Sequence, residues 1–109
     1  MMKSDSWFIE VFDGGKVGGL SFQVDEVLFQ GRSPYQNIEV VQNSFLGKVM
    51  LLDGLVMLTE KDEFYYHDML VHVPMACVED PENVLVVGGG DGGSVREMLK
   101  HPSVRRVVL

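Results

Sequence analysis

The sequence has few of the features that mark secreted or membrane-spanning proteins. Cys77 is the only cysteine among the 109 residues, so an intramolecular disulfide is excluded and a reducing, cytoplasmic setting is the simplest interpretation. It has no apolar run long enough to cross a membrane, and no apolar stretch typical of a signal peptide follows Met1. We therefore expect a cytoplasmic protein with no membrane partner.

Positive charge is scarce as well. Nine Lys and Arg residues stand against 16 Asp and Glu residues, which gives a net charge of -7. Binding to nucleic acid needs clustered basic side chains, so no nucleic-acid partner is expected. An acidic protein attracts cations instead, and a polyamine or sulfonium substrate is compatible with this charge.

The first half of the chain has the pattern of an antiparallel β-sheet. Apolar residues tend to alternate from Trp7 to about Thr59, with turn residues at short intervals, as half-buried strands require. The apolar parity changes between Val24 and Val27, which predicts a bulge or bend. The dipeptide Asp53–Gly54 predicts a two-residue hairpin turn. The predicted strand segments are Trp7–Phe12, Leu20–Phe29, Tyr35–Gln42, Phe45–Leu52 and Leu55–Leu58.

The second half has a different period. Near residue 60 the apolar spacing changes from two to about 3.6, which predicts a helix that begins near Lys61 or Asp62. Pro74 lacks an amide proton, so this helix should kink there or end soon after. The residues predicted to share one helical face are Tyr66, Leu70, Val73 and Cys77.

A strand, a helix and a second strand are predicted after that helix. Val84–Val87 is a short β-branched run typical of a buried parallel strand, Ser94–Lys100 is the helix, and Val104–Leu109 is the second strand. The predicted fold class is α/β: an antiparallel β-sheet domain over residues 1–60, followed over residues 61–109 by the incomplete start, the first βαβ unit, of a methyltransferase-like Rossmann domain that binds a nucleoside.

A glycine-rich loop lies between the first of these strands and its helix. Gly88, Gly90 and Gly93 have the G-x-G-x-x-G spacing, and Gly89 and Gly92 complete the run. Such a loop allows a tight turn, a close approach of ligand to backbone, and free amide donors at the helix start. We interpret it as a nucleotide or nucleoside site, with a purely structural turn as the alternative.

Asp91 lies within this loop and narrows the choice of ligand. A carboxylate would repel a pyrophosphate bound at the same helix start, so a cationic ligand such as an adenosyl sulfonium is favoured over NAD or FAD. Alternatively, Asp91 accepts amide hydrogen bonds as a helix cap, and the two roles can coexist.

Four segments taken in order resemble the N-terminal part of the spermidine synthases. They are YQNI at Tyr35–Ile38, LLDG at Leu51–Gly54, TEKDEFYYHDML at Thr59–Leu70 and VVGGGDGGSVREMLKHPSV at Val86–Val104. Members of that family transfer the aminopropyl group of decarboxylated S-adenosylmethionine, a co-substrate, to putrescine. The products are spermidine and 5'-methylthioadenosine, and the resemblance implies that no metal or other cofactor takes part.

The resemblance also implies roles for individual residues. Gln36 would contact decarboxylated S-adenosylmethionine or methylthioadenosine, and Tyr66 would lie on the putrescine side. His67 would meet the aminopropyl or polyamine chain, although a histidine on a helix is more often solvated or hydrogen-bonded. Asp91 would pair with the amino group of the aminopropyl arm. A homo-oligomer, dimer or tetramer, is also implied.

Some positions that the motif and the family require fall after Leu109. An acid that binds the ribose is expected about 20 residues beyond the glycines, and the family's catalytic aspartate lies further downstream. We therefore expect a fragment of a larger enzyme, with no catalytic residue in this chain and negligible activity on its own. A noncatalytic oligomerisation module and an S-adenosylmethionine-dependent methyltransferase are the alternatives.

Overall fold

The computed structural model describes residues 6–109. The chain divides into two compact units, of which the first ends at Asp62 and the second is Glu63–Leu109. No helix within residues 6–109 is long and apolar enough to span a membrane.

The first unit is built from antiparallel strands, as the alternating pattern predicts. Strands β1 and β2 pair across a short 3-10 turn, and β3 to β6 form a four-stranded sheet in sequential order. The strands are β1 Ser6–Phe12, β2 Gly18–Val24, β3 Glu26–Arg32, β4 Asn37–Asn43, β5 Gly47–Leu52 and β6 Leu55–Thr59.

The predicted hairpin turn is confirmed between β5 and β6. Asp53 and Gly54 have φ values of 51° and 76°, the positive values that a two-residue turn of this kind requires. The Asp53 carboxylate also accepts the Asn37 amide proton at 2.8 Å. This bond ties the turn to the start of β4 and helps to fix the register of the sheet.

The parity change after Val24 has a different cause from the predicted bulge. Strand β2 ends at Val24 and β3 begins at Glu26 in the other sheet, so the inward set of side chains changes because the chain changes sheets. The register shift itself lies between Val27 and Phe29. Strand β4 begins two residues later than predicted because the Ser33 hydroxyl accepts the amide protons of Tyr35 and Gln36 and holds them in a turn.

The inward-facing side chains of the two sheets form the core of the first unit. Burial of each aliphatic or aromatic side chain of this size contributes about 1.5–3 kcal/mol, so the cluster is the main stabilising feature of the unit. Partly buried side chains of Phe8, Leu46 and Val56 pack against it. The buried members are Phe22, Val24, Val41, Val49 and Leu51.

The second unit confirms the predicted strand–helix–strand order. Helix α1 spans Glu63–Ala76, β7 spans Asn83–Leu85, α2 spans Gly93–Met98 and β8 spans Arg106–Val108. Strands β7 and β8 are parallel, as the βαβ interpretation requires. Helix α1 continues for two residues beyond Pro74 and then ends.

The buried face of α1 differs from the predicted one. His67, Val71 and Met75 are its buried residues, and α1 packs on α2. By contrast Tyr66 is 65% exposed and Cys77 is also exposed. The prediction was wrong because it considered only apolar residues, and one of the three buried residues of α1 is a histidine. What makes His67 suitable for burial is its set of polar partners.

Candidate functional site

The glycine loop connects β7 to α2 at the carboxyl end of a parallel strand. Gly88 has a φ of +83°, a backbone conformation that side chains with a Cβ rarely adopt, so the chain can turn sharply directly after the strand. A Cβ added at Gly90 would have no heavy atom within 4 Å. The surface over Gly90 is therefore open, which is what ligand approach to the backbone requires.

Gly93 is in close contact with α1. A Cβ added at Gly93 would overlap the imidazole ring of His67, so only a glycine lets α2 start this near to that ring. In loops of the G-x-G-x-x-G pattern the third glycine usually allows close packing of the helix on the strand. In this chain the close contact is with a histidine of α1.

The Asp91 carboxylate is in contact with Gly93 and His67. Its Oδ1 accepts the Gly93 amide proton at 2.7 Å and lies 3.1 Å from His67 Nε2. Gly92 is the N-cap residue of α2 and makes no side-chain cap bond, so Asp91 binds the first amide of the helix from the position before the cap. Both contacts use Oδ1, and the side chain is 23% exposed, so Oδ2 is the oxygen available to a further donor. The amide contact at Gly93 and a ligand-binding role are therefore compatible.

His67 lies between two carboxylates. Its side chain is only 4% exposed, its Nδ1 contacts Glu63 Oε2, and its Nε2 faces Asp91. These two contacts hold the ring in one orientation between α1 and the glycine loop.

Arg96 extends this set of charges. Its Nη2 lies 2.9 Å from Glu63 Oε2 and its Nε lies 2.8 Å from Glu97 Oε1. Hydrogen bonds from Arg96 and then His67 lower the pKa of the Glu63 carboxyl. The same bonds to Glu63 and Glu97 raise the pKa of the Arg96 guanidinium. Both groups therefore stay ionised at neutral pH.

A second polar cluster surrounds Glu97 of α2 and includes Asp68 and His72 of α1. His72 Nε2 lies 3.1 Å from Glu97 Oε2 and 3.8 Å from Asp68 Oδ1, and His72 Nδ1 lies 2.9 Å from His101 Nε2. Ligand atoms of Asp68, His72 and Glu97 all lie within 4.8 Å of one another, an arrangement that could hold a metal ion. However, Lys100 and Arg96 already pair with Glu97, so its charge is balanced by the protein's own cations.

The structure brings some of the predicted site residues together. His67, Asp91 and Gly93 are in mutual contact, and the Tyr66 ring lies edge-on to the His67 ring at 5.2 Å. Gln36 belongs to the first unit, immediately before β4. Sequence reasoning missed Glu63 and Arg96. The spacing of Glu63 and His67, four residues apart on a helix, was the available signal for the first.

Comparisons with known families match both units. The profile described as the spermidine synthase tetramerisation domain matches residues 6–60. The profile described as the spermine/spermidine synthase domain matches residues 63–109.

Individual relatives and solved structures agree with these matches. A polyamine aminopropyltransferase of Thermotoga maritima is 48% identical over 103 residues, which are 94% of this chain and 34% of the relative. That of Thermoanaerobacter pseudethanolicus is 52% identical over 103 residues, 94% of this chain and 36% of the relative.

The fold of this chain is shared with solved spermidine synthases. One, in complex with the transition-state analogue AdoDATO, has a TM-score of 0.91 and 46% identity, and the match covers 98% of this chain and 36% of that one. The Thermotoga maritima spermidine synthase also has a TM-score of 0.91, with 46% identity over 98% of this chain and 37% of that one. This chain spans about a third of the length of the curated relatives. By these matches, which together cover both of its units, the chain belongs to the spermidine synthase family.

Proposed function

We propose that the protein carrying this chain is a spermidine synthase. In this reaction a putrescine nitrogen attacks the aminopropyl carbon beside the sulfonium of decarboxylated S-adenosylmethionine. The carbon–sulfur bond breaks, 5'-methylthioadenosine leaves, and the new amine loses a proton to give spermidine. Family membership and the matched relatives support the proposal, and decarboxylated S-adenosylmethionine enters as a co-substrate with no metal.

The observation that carries the proposal is the placement of Asp91. Its carboxylate lies in the glycine loop after a parallel strand, where Oδ1 accepts the Gly93 amide proton and lies 3.1 Å from His67 Nε2. A ligand at this loop would therefore meet a negative charge. The primary ammonium of an aminopropyl arm is attracted to it, whereas a pyrophosphate is repelled.

The other predicted residues keep their proposed roles. Gln36 would contact the nucleoside, Tyr66 would lie beside the diamine, and the glycine backbone would pass close to the adenosyl group. Tyr66 is well exposed, which supports a role at the surface that meets substrate. His67 would meet the aminopropyl or polyamine chain, and the 3.1 Å distance from its Nε2 to Asp91, the proposed partner of that chain's amine, supports this.

The test is a transfer assay on the protein that carries these residues. We expect methylthioadenosine release from decarboxylated S-adenosylmethionine and putrescine. We expect Asp91→Asn to reduce kcat/KM by roughly 10–100-fold, because the ammonium loses a charged partner. Glu82→Gln is the matched control, since Glu82 is a half-exposed carboxylate of the same unit paired with Arg105. An unchanged kcat/KM in the Asp91 variant would contradict the proposal.

Calorimetry in the same protein separates this function from a methyltransferase. S-adenosylmethionine carries a carboxylate that its decarboxylated form lacks, and Asp91 repels that extra charge. We therefore expect tighter binding of the decarboxylated form, with the preference reduced in the Asp91→Asn variant. A preference for S-adenosylmethionine would instead favour methyl transfer.

We further propose that the first unit mediates self-association as a dimer or tetramer. The match to a tetramerisation domain over residues 6–60 supports this. On β1, the apolar side chains of Trp7, Ile9 and Val11 are each more than half exposed, whereas the alternate Phe8 packs against the core. An apolar strand face of this kind is typical of an interface. A noncatalytic oligomerisation module would share this property but lack aminopropyl transfer.

A cytoplasmic location remains part of the proposal.

A further inference from the structure

We propose that Ser33 is a positioning residue for Gln36 and acts through the backbone of the turn between β3 and β4. The inference rests on the proposed function, in which the Gln36 side chain contacts the nucleoside. It assigns a role to a serine that precedes the YQNI segment and does not itself belong to it.

The first step is the set of hydrogen bonds that Ser33 makes. Its hydroxyl accepts the amide protons of Tyr35 at 3.2 Å and of Gln36 at 3.0 Å, and it donates to the Gln36 carbonyl at 3.2 Å. A serine hydroxyl has one donor and two acceptor sites, so its whole capacity is used within this turn. The Ser33 amide also donates to the Gln36 carbonyl at 2.9 Å. Both backbone polar groups of Gln36 are therefore bound by Ser33.

The second step is the residue that follows Gln36. The amide of Asn37 donates to the Asp53 carboxylate at 2.8 Å, and the Asp53 amide donates to the Asn37 carbonyl at 3.0 Å. Asn37 also lies opposite Arg32, and these two residues are the pair of β3 and β4 nearest to the turn. The backbone is therefore fixed both at Gln36 and directly after it, which sets the direction in which the Gln36 side chain leaves the chain.

The third step is the state of the Gln36 side chain. Within residues 6–109 its carboxamide makes no hydrogen bond, and the residue is half-buried. By contrast Gln42, near the other end of β4, donates from Nε2 to the Asn43 carbonyl at 3.2 Å. A carboxamide offers two donors and an acceptor oxygen, so the Gln36 side chain can bind the hydroxyl and ring-nitrogen groups of a nucleoside.

The fourth step connects the turn to the ligand. A side chain on a fixed backbone loses less conformational freedom on binding than one on a mobile loop. Without the Ser33 hydroxyl, the amides of Tyr35 and Gln36 would lose their acceptor, and the Ser33 amide alone would still bind Gln36. The turn would then sample other conformations, and affinity would be lost through Gln36.

The first experiment is hydrogen exchange, followed by NMR, on the 109-residue chain. We expect Ser33→Ala to speed exchange of the Gln36 amide by roughly 3–10-fold, the effect of one net hydrogen bond. Ser33→Thr should keep the exchange slow, because a threonine hydroxyl can form the same turn. Ser44→Ala is the matched control, since Ser44 is an exposed turn residue of the same unit whose side chain makes no hydrogen bond to any described residue. A Gln36 exchange rate unchanged by Ser33→Ala would overturn the proposal.

The second experiment tests whether Ser33 acts through Gln36. In the protein that carries this chain, calorimetry should show that Ser33→Ala weakens binding of 5'-methylthioadenosine by roughly 3–10-fold. Ser33→Thr and Ser44→Ala should bind as the unsubstituted protein does. In a Gln36→Ala background, Ser33→Ala should have no further effect, because the side chain that it positions is gone. Equal effects of Ser33→Ala in the two backgrounds would overturn the positioning role, as would weak binding by Ser33→Thr.

The two experiments separate this inference from the proposed function. If the unsubstituted protein does not bind methylthioadenosine, the proposed function fails and the role of Ser33 in binding fails with it. The exchange rates of the 109-residue chain would still show whether Ser33 fixes the Gln36 backbone. If methylthioadenosine binds but the exchange rates do not respond to Ser33→Ala, only the positioning role is overturned.

Discussion

At Gly93 the absence of a side chain leaves room for the imidazole of His67. We expect Gly93→Ala to lower the free energy of unfolding by about 1–3 kcal/mol, because one added methyl group must displace a buried ring. The helix propensity of alanine acts in the opposite direction, so a net loss would come from the clash. Urea unfolding measures the change, with Gly90→Ala as the control, because a Cβ at Gly90 meets no atom within 4 Å.

The partner of Gly93 can be tested in the same series. The double variant Gly93→Ala/His67→Ala has no ring for the added methyl group to displace. Its loss of free energy of unfolding should therefore be smaller than the sum of the losses in the two single variants. Purely additive effects, or a Gly93→Ala chain as stable as Gly90→Ala, would contradict the close contact.

The residue-scale limits of sequence reasoning are clear at His67. The sequence could place His67 on a helix and Asp91 in a loop, since both positions follow from local pattern. It could not predict that the two touch, because they are brought together by the packing of α1 on α2. Arg96 was missed for the same reason, since its contact with Glu63 joins residues far apart in the chain, whereas Glu63 had a local signal in its spacing from His67.

At the scale of elements, features set by local sequence were predicted, and features set by packing between elements were not. The Asp53–Gly54 turn and the break after Pro74 depend on backbone conformations that specific residues impose, and both were predicted. The change of sheet after Val24 and the buried face of α1 depend on which surfaces meet. A parity change is compatible with either a bulge or a new sheet, and the spacing of apolar residues gave Tyr66 no less weight than Val71.

The contact between α1 and α2 should make stability depend on pH through Glu97. Hydrogen bonds from Lys100, Arg96 and His72 lower its pKa from 4.5 to about 2. The folded state therefore binds fewer protons than the unfolded state between these values, so stability is full above about pH 4.5 and falls as the pH drops towards 2. Urea midpoints of the 109-residue chain across that range measure the effect.

A matched pair of variants assigns the pH effect to this carboxylate. Glu97→Gln cannot titrate, so its stability should vary less with pH between 4.5 and 2 than that of the unsubstituted chain. Glu82→Gln should keep the original profile, because the half-exposed carboxylate of Glu82 pairs with Arg105 on the surface. Equal pH dependence in the two variants would show that Glu97 is not the group responsible.

For the whole molecule, the exposed face of β1 predicts how copies of the chain associate. Ile9 lies at the middle of that strand and is 66% exposed, and an aspartate there would carry a charge into an apolar interface at a large desolvation cost. We expect Ile9→Asp to raise the dissociation constant of the oligomer by 10-fold or more in analytical ultracentrifugation. Val78→Asp introduces the same charge at an exposed apolar position of the second unit and should leave association unchanged. A monomeric unsubstituted chain, or equal effects of the two substitutions, would argue against an interface on β1, because the proposal requires both self-association and its dependence on this one strand face.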